Sequence, residues 1–230
     1  MDRRRLLAAG AAGSLTGTLA TRAARGQAEV RWNLCMPWPK TTPGLGLNAT
    51  RFAQLIETMS AGRIRIDVYG AGELVPPFEV LDAVQSGTAD LAHGTPYYWA
   101  GKAPALQYFT TTPFGLTSDE LAGWLYKGDG MALWREVYDD FGVIPFYAGN
   151  SRNQAGGWFN QEIESVEDLK GLNMRIAGLG GEVLRRLGAN TVLIAPGDIA
   201  PSLMAGTVDA AEWVGPWNDR AFGLYEAAKY

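Results

Sequence analysis

A single cysteine and a single histidine in 230 residues exclude much chemistry at once. Cys35 alone permits no intramolecular disulfide and no cysteine-built metal site, and its strand-like neighbours favour a buried small hydrophobe over a nucleophile. His93 alone excludes multi-histidine zinc centres and paired-histidine acid–base schemes. The chain also has no G-x-S-x-G, no P-loop, no G-x-G-x-x-G behind a strand and no zinc spacing. Charge is sparse, at 19% of residues against 47% hydrophobic, so there is enough apolar content for a globular core in one or two domains.

The N-terminal apolar run is too short and too weak to cross a membrane. Met1-Asp2-Arg3-Arg4-Arg5-Leu6-Leu7 leads into an Ala/Gly/Leu/Thr stretch to Ala20, with small residues near Gly26 and Ala28. This is the layout of an export signal over residues 1–28. It is favoured over a basic nucleic-acid-binding arm because the run behind the arginines is Ala-rich and acid-poor. The arginines also resemble a twin-arginine signal, which leaves that route and the general secretory route (Sec) both open. Removing residues 1–26 leaves 15 basic and 23 acidic residues and a net charge of −8, which argues against nucleic acid and anionic lipid as partners.

From Glu29 onward strands and helices alternate with short turns, the pattern of an α/β fold with a parallel or mixed sheet. Strands are expected at Val30–Met36, at the strictly alternating Arg63–Tyr69, which suits a sheet edge, and at Val143–Tyr147, where Pro145 is tolerable only at an edge or crossover. Helices are expected over Asn48–Met59, with Phe52, Leu55, Ile56 and Met59 at helical spacing, from Pro76-Pro77 to Gly87, and over Ser118–Phe141. Ala148–Asn153 is small and polar and reads as a hinge, dividing a first lobe (29–147) from a second (148–230). The second lobe shows Gly157-Trp158-Phe159, a capping box at Ser165–Asp168, a strand at Leu172–Ile176, a helix over Gly178–Leu187, a strand at Thr191–Ile194 and a helix from Gly197 to Gly206.

One hexapeptide recurs. Gly87-Thr88-Ala89-Asp90-Leu91-Ala92 returns 119 residues later as Gly206-Thr207-Val208-Asp209-Ala210-Ala211, in both places where a helix gives way to a strand. Six residues also fit a shared turn type, but the shared context favours two similar α/β lobes. The residues behind each copy then lie at carboxyl ends of strands, where open α/β sheets bind ligands.

Four features converge on such a cleft. Arg175 lies late in a strand, and its planar fork of donors matches a carboxylate; an exposed strand arginine or an ion pair with Glu212 is the alternative. Gln154 precedes Ala155-Gly156-Gly157, where backbone can approach a ligand closely, and its amide can donate, accept or coordinate. Glu212 sits between small apolar residues and tryptophans, so it requires a cation, an arginine, protonation or an outward turn to solvent. With Gln154 and the Trp213 carbonyl it makes an oxygen set suited to Na+ or Ca2+. Tyr97, Tyr98 and Trp99 either wall a small pocket or simply pack. These groups can bind a small anion, and they supply no nucleophile and base.

Together the stretches Ala71-Gly-Glu-Leu-Val-Pro76, Ala83-Val-Gln-Ser-Gly-Thr88, Tyr97-Tyr-Trp-Ala-Gly-Lys102, Gly156-Gly-Trp-Phe159, Leu172-Asn-Met-Arg-Ile176 and Asp209-Ala-Ala-Glu-Trp-Val-Gly-Pro216 resemble the substrate-binding proteins of tripartite ATP-independent periplasmic (TRAP) transporters, the DctP-like family, in its 2-oxo monocarboxylate branch. The resemblance implies a periplasmic-binding-protein-like fold whose two lobes close over an organic acid, and a receptor rather than an enzyme. It implies that Arg175 holds the carboxylate, that Gln154 contacts the ligand, and that Glu212 and the Trp213 carbonyl ligate a bridging cation. It also implies a periplasmic location and delivery of the acid to a membrane permease. Members of the family continue well past the position of Tyr230, so a truncated or partial chain is expected. A receptor for lactate or a dicarboxylate, a non-functional fragment and a periplasmic oxo-acid enzyme are the alternatives.

Overall fold

A computed structural model describes residues 30–230; the export signal read over residues 1–28 lies outside the described residues. The first sheet contains β1 (Val30–Cys35), β2 (Ile64–Tyr69) and β3 (Leu91–Ala92), all parallel in the order β2-β1-β3. The alternating strand β2 is at the edge, as its charged face suggests. Helix α1 (Gly46–Met59) packs on β2, and α2 (Val80–Gln85) leads to β3.

Of the large residues that the periodicity of α1 marked, only Ile56 packs against the core. Ala49 and Ala53 are buried, whereas Phe52, Leu55 and Met59 face outward, Met59 at 81% exposure. Small side chains let the helix lie close to the sheet, and close packing sets the buried face ahead of side-chain size.

The expected helix over Ser118–Phe141 is two helices, α3 (Ser118–Lys127) and α4 (Gly130–Asp139). Thr117 opens α3 with a capping box to Glu120. The break falls at Gly128-Asp129-Gly130, where the Trp124 ring occupies the space that a β-carbon on Gly130 would need. The strand expected at Val143–Tyr147 does not form in the described structure. Pro145 removes one donor, no neighbouring strand pairs with the segment, and Ile144 and Phe146 are 67% and 73% exposed.

The second sheet contains β4 (Trp158–Phe159), β5 (Asn173–Arg175), β6 (Asn190–Val192) and β7 (Ala210–Ala211) in the order β4-β7-β5-β6. Strand β4 is antiparallel to β7 and the other pairs are parallel. The outer side of β4 exchanges two backbone bonds with Tyr230. Around this sheet lie α5 (Gly178–Arg186), α6 (Ile199–Met204), α7 (Pro216–Ala221) and α8 (Leu224–Ala227). The capping box at Ser165 and Asp168 forms as expected. In β7, Ala211 joins the main apolar cluster with Leu34, Leu81 and Leu203, while Ala210 faces a smaller one with Leu172 and Met174.

The repeated hexapeptide makes one local structure twice. Gly87 and Gly206 both turn with positive φ, at 76° and 67°. Asp90 donates its N–H to the Asn33 carbonyl (3.0 Å) and accepts the Asn33 N–H on Oδ2 (2.8 Å). Asp209 does the same with Asn173, at 2.8 and 2.9 Å. One step further, His93 N–H meets the Cys35 carbonyl (2.9 Å) and Glu212 N–H meets the Arg175 carbonyl (2.8 Å). The two sheets therefore present equivalent strand ends, with Cys35 and His93 on one and Arg175 and Glu212 on the other.

Candidate ligand-binding site

Arg175 ends β5 and is 1% exposed. Two backbone carbonyls aim its guanidinium: Nε donates to Ile194 O at 3.1 Å, and Nη1 donates to Glu212 O. The third nitrogen, Nη2, is buried with no hydrogen-bond partner among the described residues. The guanidinium carbon lies 5.5 Å from the centre of the Trp213 ring, a cation–π contact that shields the charge from water. An arginine already oriented by the backbone loses little freedom when it meets a ligand.

Glu212 follows β7 directly and is 8% exposed. Its Oε2 lies 3.7 Å from Arg175 Nη1, within ion-pair range but too far for a hydrogen bond, and its Oε1 is buried without a partner. Burial pushes this carboxyl up to about 8; the Arg175 charge pulls it down and Asp219 pushes it further up. The Arg175–Glu212 contact considered from sequence is thus present at 3.7 Å, and among the described residues it leaves Arg175 Nη2 and Glu212 Oε1 without hydrogen-bond partners.

Gln154 donates Nε2 to the Trp213 carbonyl (3.2 Å), and its Oε1 accepts from Thr111 Oγ1 (3.3 Å). Trp213 is 3% exposed and rests edge-on against Phe222. Tyr97 and Tyr98 pack edge to face, with centroids 5.0 Å apart. Burial first, and then the Glu212 carboxylate, push the Tyr97 phenol up to about 12. Burial holds the Tyr98 phenol well above its usual range, with Arg175 acting against it. The Tyr98 hydroxyl is buried without a partner, so it is a neutral donor. Contacts thus link Arg175, Glu212, Gln154 and the Trp213 carbonyl, and Tyr97 and Tyr98 lie close enough for the charges of Glu212 and Arg175 to act on their phenols.

Other residues serve the fold. Trp99 is buried and donates to the Phe78 carbonyl (2.9 Å). Burial pushes the Cys35 thiol up to about 11, which suits a packed hydrophobe and not a nucleophile. Gly157, expected to admit a ligand, instead admits the protein: with φ at +137°, its missing β-carbon would lie 3.0 Å from the Ala211 carbonyl and from Met174. A surface hollow of about 270 Å3 beside Tyr108, Leu116 and Trp124 shares no residue with the cluster.

Sequence reasoning missed Asp219. It is 1% exposed on α7 and accepts from Val214 N (3.1 Å), Gly215 N (3.0 Å) and Trp158 Nε1 (2.8 Å). The available signal was a charged residue within the aromatic Trp217–Phe222 stretch. Also missed were Thr111 and the Ile194 carbonyl.

The donor set bears on a cation. Among the described residues no group of three or more His, Cys, Asp or Glu side chains is placed to hold a metal. What the cluster offers is one partnerless carboxylate oxygen, one backbone carbonyl and one amide, a mixed oxygen set that fits a hard cation.

The profile of the bacterial extracellular solute-binding protein family 7 (DctP) matches residues 36–230. A monocarboxylate 2-oxoacid-binding periplasmic protein of Nostoc is 46% identical over 94% of this chain and 59% of its own length. The crystal structure of a TRAP periplasmic solute-binding protein of Colwellia psychrerythraea, with bound calcium and pyruvate, aligns with a TM-score of 0.83 and 42% identity over 86% of this chain and 61% of that one. Its counterpart from Pseudoalteromonas atlantica, with bound sodium and pyruvate, aligns with a TM-score of 0.84 and 41% identity over 87% and 61%. The chain therefore spans about six-tenths of the length of these relatives.

Proposed function

Because the chain belongs to the bacterial extracellular solute-binding proteins of family 7, we propose that it is an extracytoplasmic receptor that binds a small 2-oxo monocarboxylate, pyruvate-like, together with Na+ or Ca2+. The observation that carries this reading is the pair of Arg175 Nη2 and Glu212 Oε1: both are buried and partnerless, on side chains that approach to 3.7 Å. One seeks an anion and the other a cation or a proton.

Charge explains why the two ligands belong together. Arg175, Glu212 and Asp219 are all buried, so a carboxylate that enters beside an ionised Glu212 brings a second negative charge that a cation must answer. Arg175 takes the carboxylate, and the Tyr98 hydroxyl is a second donor. Glu212 and the Trp213 carbonyl offer oxygens to the cation. Gln154 joins them when its side chain rotates so that Oε1, which now accepts from Thr111, faces the cation. A bound cation supplies positive charge between Glu212 and the ligand oxygens. Tyr97 and Tyr98 narrow the site toward monocarboxylates and away from bulky sugar acids.

The family consists of transport receptors rather than enzymes, and the cluster contains no nucleophile–base pair, so the ligand is expected to leave intact. We read residues 29–147 and 148–230 as two lobes hinged at Ala148–Asn153, residues 1–28 as an export signal to the periplasm, and a TRAP permease as the recipient of the acid. No helix among the described residues is long and apolar enough to cross a membrane. Calorimetry with pyruvate, branched 2-oxo acids, lactate and dicarboxylates, each in Na+, Ca2+ and chelator, tests the reading. Saturable heat with an oxo acid that disappears in chelator and Na+-free buffer supports it, and a folded chain that binds none of these acids overturns it.

A further inference from the structure

Asp219 touches neither Arg175 nor Gln154, yet it accepts more hydrogen bonds than Glu212, the other buried carboxylate of the site. Its Oδ1 accepts the N–H groups of Val214 and Gly215, at 3.1 and 3.0 Å, and its Oδ2 accepts Trp158 Nε1 at 2.8 Å. A peptide unit is planar and trans, so its N–H and C=O point in opposite directions. Holding the Val214 N–H therefore aims the Trp213 carbonyl the other way, toward Gln154 Nε2 at 3.2 Å. Holding the Gly215 N–H likewise aims the Val214 carbonyl, which accepts from Ala155 N at 3.0 Å. One buried carboxylate thus orients two successive peptides, and each meets the Gln154-Ala155 segment. The third bond, to Trp158, ties the same segment back through β4. A negative charge on the N–H end also polarises a peptide and makes its carbonyl oxygen a stronger ligand for a cation.

We infer that Asp219 is a positioning residue for cation binding: through the Trp213–Val214 peptide it aims and polarises the Trp213 carbonyl, and through the Val214–Gly215 peptide it holds the Val214 carbonyl on Ala155 N, which fixes the loop beside Gln154. The inference rests on the receptor reading above and adds a residue that touches neither acid nor cation. It also separates two roles: Glu212 supplies charge to the cation, and Asp219 sets the direction of the neighbouring carbonyl.

The test uses the full chain with Ca2+ alone, then with pyruvate at saturating Ca2+, both by calorimetry. Asp219→Asn keeps the shape and one acceptor oxygen but turns an NH2 against Trp158 Nε1–H. It is therefore combined with Trp158→Phe, and Trp158→Phe alone is the control. Expected are a loss of Ca2+ affinity of about tenfold or more in the double variant, affinity within threefold of wild type in the control, and a smaller loss of pyruvate affinity once Ca2+ saturates. A folded double variant that binds Ca2+ within threefold of wild type overturns the inference. Should the double variant not fold, amide NMR of the wild-type chain decides: the Val214 resonance is expected to shift on adding Ca2+, and its staying in place while other amides of the site move overturns the inference. A wild-type chain that takes up neither Ca2+ nor Na+, with or without pyruvate, removes the receptor reading and this inference with it. Binding by wild type and double variant alike removes this inference alone.

Discussion

Replacing Arg175 with lysine keeps a positive charge in the site and removes the fork. In the native chain Nε is occupied by the Ile194 carbonyl at 3.1 Å and one Nη1 hydrogen by the Glu212 carbonyl. This leaves the second Nη1 hydrogen and both Nη2 hydrogens for a ligand. A lysine ammonium concentrates three donors at one point and cannot reach both carbonyls and a carboxylate in the same geometry. The ligand loses at least one charge-assisted hydrogen bond, about 1.5–3 kcal/mol, which is roughly a 10- to 150-fold weaker Kd. One of the two carbonyls also loses its donor in the folded protein, and a buried acceptor left bare costs about 1–3 kcal/mol. Calorimetry with pyruvate at saturating Ca2+ reads the first quantity, and urea unfolding reads the second. A folded Arg175→Lys chain that binds pyruvate within threefold of wild type refutes the assignment of the fork to the carboxylate.

Other predictions address the cation, the backbone and pH. Glu212→Gln is expected to abolish the Ca2+ dependence of acid binding while lowering Tm by no more than about 3 °C, because burial already favours a neutral side chain there; calorimetry and a thermal scan check both halves. Gly157→Ala is expected to cost about 1–3 kcal/mol, from a positive φ and the contact with the Ala211 carbonyl. Gly156→Ala, with nothing within 4 Å of its added carbon, is expected to be nearly neutral, and urea midpoints compare the two. Burial depresses His93 to about 4 against about 6.5 when unfolded. Between those values the unfolded chain binds the proton and the folded chain does not, so this contribution to stability is intact above about pH 6.5 and falls by at most about 1.4 kcal/mol per pH unit toward pH 4. Urea titrations at pH 7.5, 5.5 and 4.5 on wild type and His93→Gln measure it, and equal pH slopes for the two chains contradict the argument.

The legible parts of this protein are those written in short stretches of chain. Alternation in Arg63–Tyr69 announced an edge strand, and the capping box at Ser165–Asp168 announced a helix start through contacts three residues away. The repeated hexapeptide announced two equivalent turns, because the aspartate in each pairs with a strand asparagine of its own sheet. Arg175 and Glu212 were legible for a different reason: charge inside an apolar strand end needs an answer wherever the strand is packed.

What the sequence by itself determined is the α/β alternation, the repeated turn, and which charged residues must be answered by a partner or a ligand. Tertiary structure alone decided that α1 rests on alanines rather than on Phe52 and Leu55, that Val143–Tyr147 stays unpaired among the described residues, and that Gly157 makes room for Ala211. It also decided how the site is aimed, since Gln154 meets Trp213 across 59 residues and Trp158 meets Asp219 across 61. Local propensity acts over a few residues, whereas the direction of a carbonyl or the buried face of a helix is set by whatever distant segment packs against it.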